Sequence, residues 1–336
     1  MHDTSLISVV MPSYNHSQYI LEAVASVLQQ EGVQFELLIE DDGSSDATHT
    51  LLQQIQDPRI SVVCRTVNQG ACSTLNNLIS RARGDFIALI NSDDVWRGTS
   101  KLREQLQLLQ ANPHVGAVFG QAGFIDGAGA PLPDGSHFYG NIFQQENRSQ
   151  GQWLRRFFFY GNCLCHPTMM IRKGCYQRVG LYNNRLRQLP DQMMWIQLVK
   201  HYDVLVSDQV LVNFRLMGVA NASAPTPANA MRGMNEQFLQ YDYFWDGVDA
   251  QLLREGFLDL LTVWTLPTPA HLEIEKVLLY LKAASVAGGA LRLLGLQRLY
   301  RLLGSAEYRE VLEKDYAIND AWLHRELGSS SLFFNA

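Results

Sequence analysis

The chain has 336 residues, 47% of them apolar, and a formal net charge of −6. That length exceeds one average domain and is ample for a buried core, so a core domain with an elaboration is expected. Lys and Arg are scattered, which excludes the clustered basic footprint of a nucleic-acid binder; a small anionic ligand would need local cations or a metal.

Leu6 to Met11 opens the chain as a near-continuous apolar run, and Phe35 to Ile39 and Phe86 to Ile90 repeat the pattern. Such runs, with helical patterns between them, read as parallel strands buried on both faces. Tyr19 to Gln30 places Ile20, Val24, Val27 and Leu28 on one helical face, with Ser17 as an N-cap and Gly32 as a stop. Ala47 to Ile55 is predicted helical, Ile60 to Cys64 a strand, Cys72 to Ala82 helical, Lys101 to Gln110 helical, and Val115 to Phe119 a strand. Right-handed crossovers would assemble these into a doubly wound half-sheet whose strand ends share one ligand-binding rim. From Gly120 the alternation is lost, and Asp126-Gly127 and Pro131 to Gly135 mark turns. Thr168 to Ile171 reads as a strand, Met193 to Val199 as a helix, and Val204 to Phe214 as strand-like. Ala220 to Ala230, rich in Ala, Pro, Asn and Ser, reads as a linker, and Met234 to Leu327 is helical in pattern. The expected organisation is therefore residues 1–120, residues 121–218, and a linker with a helical extension over 219–336.

No stretch reaches the roughly 18 uncharged apolar residues of a membrane span. Val277 to Leu303 comes closest, but Lys282, Arg292, Arg298 and Arg301 interrupt it. Leu291, Leu293, Leu294, Leu296, Leu299, Leu302 and Leu303 exceed what one narrow helical face hides, so contact with a membrane surface, self-association or intramolecular packing is expected there. Five cysteines, Cys64, Cys72, Cys163, Cys165 and Cys175, form an odd set without a secretory signal, which points to reduced thiols in a cytoplasmic protein.

Three short strings lie at strand ends: Pro12-Ser13-Tyr14-Asn15, Asp41-Asp42-Gly43-Ser44 and Asn91-Ser92-Asp93-Asp94. Carboxylates gathered on one rim suit a divalent cation, which would neutralise a diphosphate. Tyr14 either stacks on a base or packs under a loop. Asp41 and Asp46 fit turn and helix-cap chemistry. Asp93 and Asp94 are adjacent, so their side chains diverge in an extended segment. Arg83 reads as a solvated helix-end cation, and Gly84 as a helix stop. Cys163-Leu164-Cys165-His166 looks superficially like a metal motif, but no second Cys pair follows it.

These strings, with Asn68-Gln69-Gly70, Asn76, Ala82-Arg83-Gly84-Asp85, Asp94-Val95-Trp96 and His166-Pro167-Thr168, resemble the inverting glycosyltransferases of family 2 from about Leu6 to about Arg215. The resemblance implies a GT-A fold, a doubly wound mixed α/β sheet flanked by helices with a C-terminal helical extension. It makes 1–120 the nucleotide-sugar half and 121–218 the acceptor half. It further implies base contact by Tyr14 beside Pro12, Ser13 and Asn15, an imide N–H accepted by Asp42, ribose contact by Asp93, and Mn²⁺ or Mg²⁺ held by Asp94. Asp191 matches the family's catalytic base, although Pro190 and Met193 stand where relatives often carry acids. Asn91 and Met217 also replace an acid and a His, so Arg215 is the cation left for the diphosphate region and His166 lines the acceptor half.

The function implied is metal-assisted transfer of a sugar from a UDP- or dTDP-sugar to a hydroxyl of a glycan, a lipid-linked or another acceptor, in the cytoplasm or at the inner face of the membrane. Two rivals are a nucleotidyltransferase, disfavoured because Pro12 to Ser17 supplies no Gly-rich basic phosphate loop, and a non-catalytic nucleotide-binding scaffold on a degenerate transferase fold.

Overall fold

The apolar runs at the front of the chain lie side by side in the computed structural model, which describes residues 5–218, 221–287 and 289–329. They are β1 (Leu6–Ser13), β2 (Gln34–Asp41) and β4 (Phe86–Leu89), with α1 (Ile20–Leu28), α2 (Thr48–Gln53), β3 (Ile60–Cys64) and α3 (Ala71–Arg81) between them. β1 pairs in parallel with β2 and β4, and β2 with β3. Ile7, Val9, Val10 and Met11 are fully buried, as a strand covered on both faces requires. The chain continues through β5 (Val95–Trp96), α4 (Lys101–Ala111), β6 (Val115–Ile125), β7 (Pro131–Leu132), α5 (Gln150–Tyr160), β8 (Met170–Arg172), α6 (Cys175–Val179), α7 (Pro190–Val199) and β9 (Asp203–Arg215). Among the described residues the strands form one nine-stranded sheet in the order β3-β2-β1-β4-β8-β6-β9-β5, with β7 beside β6. β8 is antiparallel to both β4 and β6, which makes the sheet mixed.

Several local expectations change. β6, expected to end at Phe119, runs on through Gly120 to Ile125; a Cβ at Gly120 would collide with Leu211 of β9, so close approach explains this glycine. Gly84 has the same explanation, since a Cβ would overlap the Leu6 carbonyl, and the helix before it ends at Arg81. Arg83 stays solvated just past the helix end, with its side chain 75% exposed, and also pairs with Glu36 at 2.7 Å. Ser17 does not cap α1: the His16 carbonyl accepts the Tyr19 and Ile20 N–H groups, and the Ser17 N–H donates to Asp46. Thr168 lies in a 3-10 turn, His166–Thr168, imposed by Pro167, and β8 starts later. Of the expected linker, Ala220 lies outside the described residues, and Pro227 to Ala230 form the first turn of α8 (Pro227–Tyr243). The Thr226 hydroxyl accepts the Asn229 N–H there, a helix start with Pro at its first position.

The chain divides into two compact units, residues 1–148 with 162–233, and residues 149–161 with 234–336. The first holds the sheet. The second contains α5 and the helices α9 (Ala250–Phe257), α10 (Pro269–Ala287), α11 (Gly289–Leu303), α12 (Ala306–Tyr316) and α13 (Asp320–Gly328). Phe158 of α5 sits among Tyr241, Phe244, Trp245, Phe257 and Tyr280. The leucine surplus of α11 is absorbed within this unit: Leu291, Leu294, Leu296, Leu299 and Leu303 are buried, several of them in a cluster with Ile274, Leu312, Ile318 and Leu323. Arg298 pairs with Asp242 at 2.7 Å, and Arg292 with Glu326. Intramolecular packing is thus the fate of these leucines. Among the described residues no helix is long and apolar enough to cross a membrane.

Gly151 of α5 and Gly256 of α9 meet backbone to backbone, and a Cβ on Gly256 would collide with the Gly151 carbonyl. Backbone cannot step aside as a flexible side chain would. Gly256→Ala is expected to destabilise this unit by about 1–3 kcal/mol, measured by urea unfolding. A change within about 0.5 kcal/mol would show that the two helices separate freely.

Candidate active site

The register that pairs Ser13 with Asp41 brings the ends of β1 and β2 onto one rim. Asn15, with a φ of 55°, turns the chain there. Its side-chain oxygen accepts the Ser45 N–H at 2.8 Å and its own N–H donates to the Ser44 hydroxyl at 2.8 Å, stitching the two strand-end loops together. Asp41 accepts the Ser44 N–H, and Asp46 accepts N–H groups from Thr48 and Ser17; both serve the turn. Burial acts to raise the Asp46 pKa, but hydrogen bonds from Thr48 and Ser17 outweigh it and bring it to about 2. Tyr14 is 45% exposed, so it does not pack under a loop. Pro12 is half-buried beside it, and the buried Ser13 hydroxyl has no partner among the described residues.

Asp42 is buried and holds the turn that opens α3, its two oxygens accepting the Gln69 and Gly70 N–H groups at 2.9 and 2.8 Å. Its Oδ1 also lies 3.8 Å from the Arg65 guanidinium. The turn gives the Asn68-Gln69-Gly70 string a local job that the strand and helix patterns did not reveal.

On the neighbouring rim segment, Asn91 donates its amide to Asp94 Oδ2 at 2.9 Å, and the Arg215 N–H donates to Asp94 Oδ1 at 2.9 Å. Asn91 thus steers Asp94. Burial, then the neighbouring Asp93 charge, raises the Asp94 pKa well above the ordinary carboxylate value. Burial also raises that of Asp93, against the pull of His16 and Arg215. His16, absent from the sequence-based site, reaches Asp93 at 3.9 Å and bonds the Ser92 hydroxyl at 2.7 Å.

Arg215, expected in the diphosphate region, is fully buried. It donates from Nε to the Asp93 carbonyl at 2.8 Å, from Nη1 to the Asp126 carbonyl at 3.2 Å, and from Nη2 to Glu22 at 2.5 Å, with Tyr19 under its guanidinium at 4.7 Å. Met217 follows it, its N–H bound by Asn221 at 2.6 Å.

Two adjacent carboxyl groups disfavoured as anions suit a hard divalent cation, whose charge would remove both penalties. Among the described residues no group of three or more His, Cys, Asp or Glu side chains is placed to hold a metal, so an ion at Asp94 would complete its shell with phosphate and water, the habit of Mg²⁺. Cys163 and Cys165 are buried and form no disulfide.

Asp191 is the second residue of α7, behind Pro190, and not its cap. Its Oδ2 accepts the Asn162 amide at 2.7 Å and its Oδ1 the Gln192 N–H at 2.8 Å. Nearby, His166 Nε2 bonds the Tyr182 hydroxyl at 2.8 Å and meets Trp195 edge-on; burial lowers its pKa to about 3, so its imidazole is neutral. Asn76 clamps the Tyr182 backbone with bonds of 2.8 and 2.9 Å. The Cys165 thiol is raised first by burial and then by the charges of both Asp94 and Asp191, and the Tyr139 phenol by burial with smaller contributions from the same two acids. Asp94 and Asp191 therefore border one region, although 97 positions (191 − 94) separate them.

The family model described as glycosyl transferase family 2 matches residues 8–177, half of the chain. The chain belongs to that family. The transferase is 32% identical over 215 residues to the putative teichuronic acid biosynthesis glycosyltransferase TuaG of Bacillus subtilis, covering 63% of this chain and 79% of that protein. Over 110 residues it is 37% identical to the UDP-Glc:alpha-D-GlcNAc-diphosphoundecaprenol beta-1,3-glucosyltransferase WfgD of Escherichia coli, covering 33% of this chain and 43% of that one. Among solved structures it is similar to S. aureus TarS 1-349 in complex with UDP-GlcNAc, with a TM-score of 0.58, 17% identity, and coverage of 98% and 93%. A mannosyltransferase from Pyrobaculum calidifontis in complex with GDP-Man and Mn²⁺ follows at a TM-score of 0.52, 17% identity, and coverage of 96% and 86%. The mixed sheet flanked by helices, with helices at the C-terminus, is the GT-A fold. Membership of this family removes the nucleotidyltransferase reading. The family match spans the strand-end strings and His166 but stops short of Asp191 and Arg215.

Proposed function

We propose that the transferase moves a sugar from a nucleoside-diphosphate donor, of UDP or dTDP type, to an acceptor hydroxyl with inversion at the anomeric carbon. The observation that carries this reading is the convergence of Asp94 and Asp191 on one region, where both charges act on Cys165 and Tyr139. Residues 1–120 would hold the donor and 121–218 the acceptor, with His166 on the acceptor side. Pro12, Ser13, Tyr14 and Asn15 would line the base, Asp42 would accept its imide N–H, and Asp93 would face the ribose. Asp94 would hold Mn²⁺ or Mg²⁺, which when bound neutralises the departing diphosphate.

Asp191 takes the proton from the acceptor hydroxyl as that oxygen bonds the anomeric carbon from the face opposite the diphosphate. The carbon–oxygen bond to phosphate breaks in the same step, and its electron pair leaves with the nucleotide. Positioning and electrostatics, rather than an enzyme-bound sugar, supply the rate enhancement. The relatives' names support a glycan or lipid-linked hydroxyl as acceptor, in polysaccharide or glycoconjugate synthesis.

A thermal-shift screen of UDP, dTDP, GDP and their sugars, with and without Mn²⁺, tests the donor reading, because a ligand of the folded state raises the melting temperature. A shift with GDP alone would overturn the pyrimidine assignment. Tyr14→Ala is expected to weaken UDP binding by about 0.5–1.5 kcal/mol, measured calorimetrically. An unchanged affinity would remove Tyr14 from the base site.

A further inference from the structure

His16 joins the loop after β1 to the acidic segment, and it is held at both backbone and ring. Its N–H donates to the Thr48 hydroxyl at 3.0 Å, and its carbonyl accepts the Tyr19 and Ile20 N–H groups at 2.9 Å. Its ring Nδ1 meets the buried Ser92 hydroxyl at 2.7 Å. Among the described residues no other group accepts the Ser92 proton, so this hydroxyl donates to Nδ1 and the ring proton lies on Nε2, a tautomer assigned from the hydrogen-bond network. Nε2 faces Asp93 Oδ2 at 3.9 Å, beyond direct hydrogen-bond reach. The Asp93 side chain also meets its own backbone N–H, and Arg215 Nε holds the Asp93 carbonyl. We propose that His16 is a specificity-determining residue of the donor site, its Nε2–H donating to a ribose hydroxyl while Asp93 accepts from the same sugar, so that the donor carries ribose and not 2′-deoxyribose: UDP rather than dTDP of the two types.

The inference rests on the donor reading and narrows it. A carboxylate facing the ribose can only accept, whereas a sugar hydroxyl both donates and accepts. His16 supplies the missing donor. A gap of 3.9 Å leaves donor and acceptor apart, yet it admits the oxygen of one hydroxyl or the two of a vicinal diol between them. The His16 side chain is 23% and the Asp93 side chain 12% exposed, so a ligand reaches both. His16 also stands two positions after Tyr14, and a base lying against Tyr14 carries its ribose toward this pair. A 2′-deoxyribose removes one of the oxygens and strands a polar group of the site, the kind of loss that discriminates strongly between ligands.

The test measures by calorimetry, in the full chain with Mn²⁺, the affinities for UDP, 2′-deoxy-UDP, GDP and 2′-deoxy-GDP. Wild type is expected to bind UDP about tenfold more tightly than 2′-deoxy-UDP. His16→Phe keeps the ring volume without either nitrogen, and is expected to shrink that preference to about threefold or less. His16→Ala serves where His16→Phe fails to fold. A residue that only ties the loops together would weaken both nucleotides alike and leave their ratio in place. An unchanged ratio in a folded variant, or equal binding of the two uridine nucleotides by wild type, overturns the role of His16. Binding confined to the guanosine pair, with a ribose preference that His16→Phe abolishes, overturns the pyrimidine reading and leaves the ribose reading standing. Binding of none of the four overturns the donor reading and this inference with it.

Discussion

Asp191→Asn is expected to lower sugar transfer by about 10²–10⁴, the usual worth of a general base, while the fold and UDP affinity survive. Asparagine preserves the oxygen that meets the Gln192 N–H, so the first turn of α7 keeps its geometry. What is lost is basicity next to the attacking oxygen. Turnover and nucleotide binding measured on the same preparation separate the two effects. Transfer within threefold of wild type would make Asp191 a helix-start acid alone. Binding without any turnover in the wild type would instead favour a nucleotide-binding scaffold.

Replacing Asp94 by Asn should act in two opposite directions. Without a divalent cation the variant should be the more stable protein. Burial and the Asp93 charge raise the Asp94 pKa in the folded state, whereas the unfolded chain releases that proton near the ordinary aspartate value of about 3.9. Between those values the unfolded state binds fewer protons, so wild-type stability falls as pH rises through the window. The advantage of the Asn variant should therefore be absent in acid and complete above the folded pKa. Mn²⁺ reverses the order: it should stabilise the wild type and not the variant, and transfer by the variant should drop about 10²-fold or more as the charge stabilisation of the leaving group is lost. Melting curves across pH, with and without Mn²⁺, read both effects. Equal Mn²⁺ stabilisation of the two proteins would take Asp94 out of the metal role.

The parallel half of the sheet was legible because burial on both faces writes itself as unbroken apolar runs, and the strand-end strings followed from those runs. Gly84 misled because glycine has the same letter whether it stops a helix or admits a neighbour, and only the Leu6 contact distinguishes the cases. His16 and Asn162 escaped notice because their partners lie 76 and 29 positions away. Lys101 escaped for another reason. At the start of an amphipathic helix it reads as solvated, yet it is buried over the Trp96 ring at 4.1 Å and bonded to Gln105 at 2.8 Å; burial lowers its pKa to about 7. The i,i+4 spacing of Lys101 and Gln105 beside Leu102, Leu106 and Leu109 was a signal available in the sequence.

The Arg215 clamp joins the end of β9, the Asp93–Asp94 segment, the turn at Asp126 and Gly127, and the first turn of α1 through Glu22. Four separate stretches of chain are thereby locked in mutual alignment when the protein folds. On the proposed reading the acidic rim meets an incoming donor already assembled, and the conformational entropy of gathering two adjacent acids is lost during folding instead of being subtracted from the affinity for substrate.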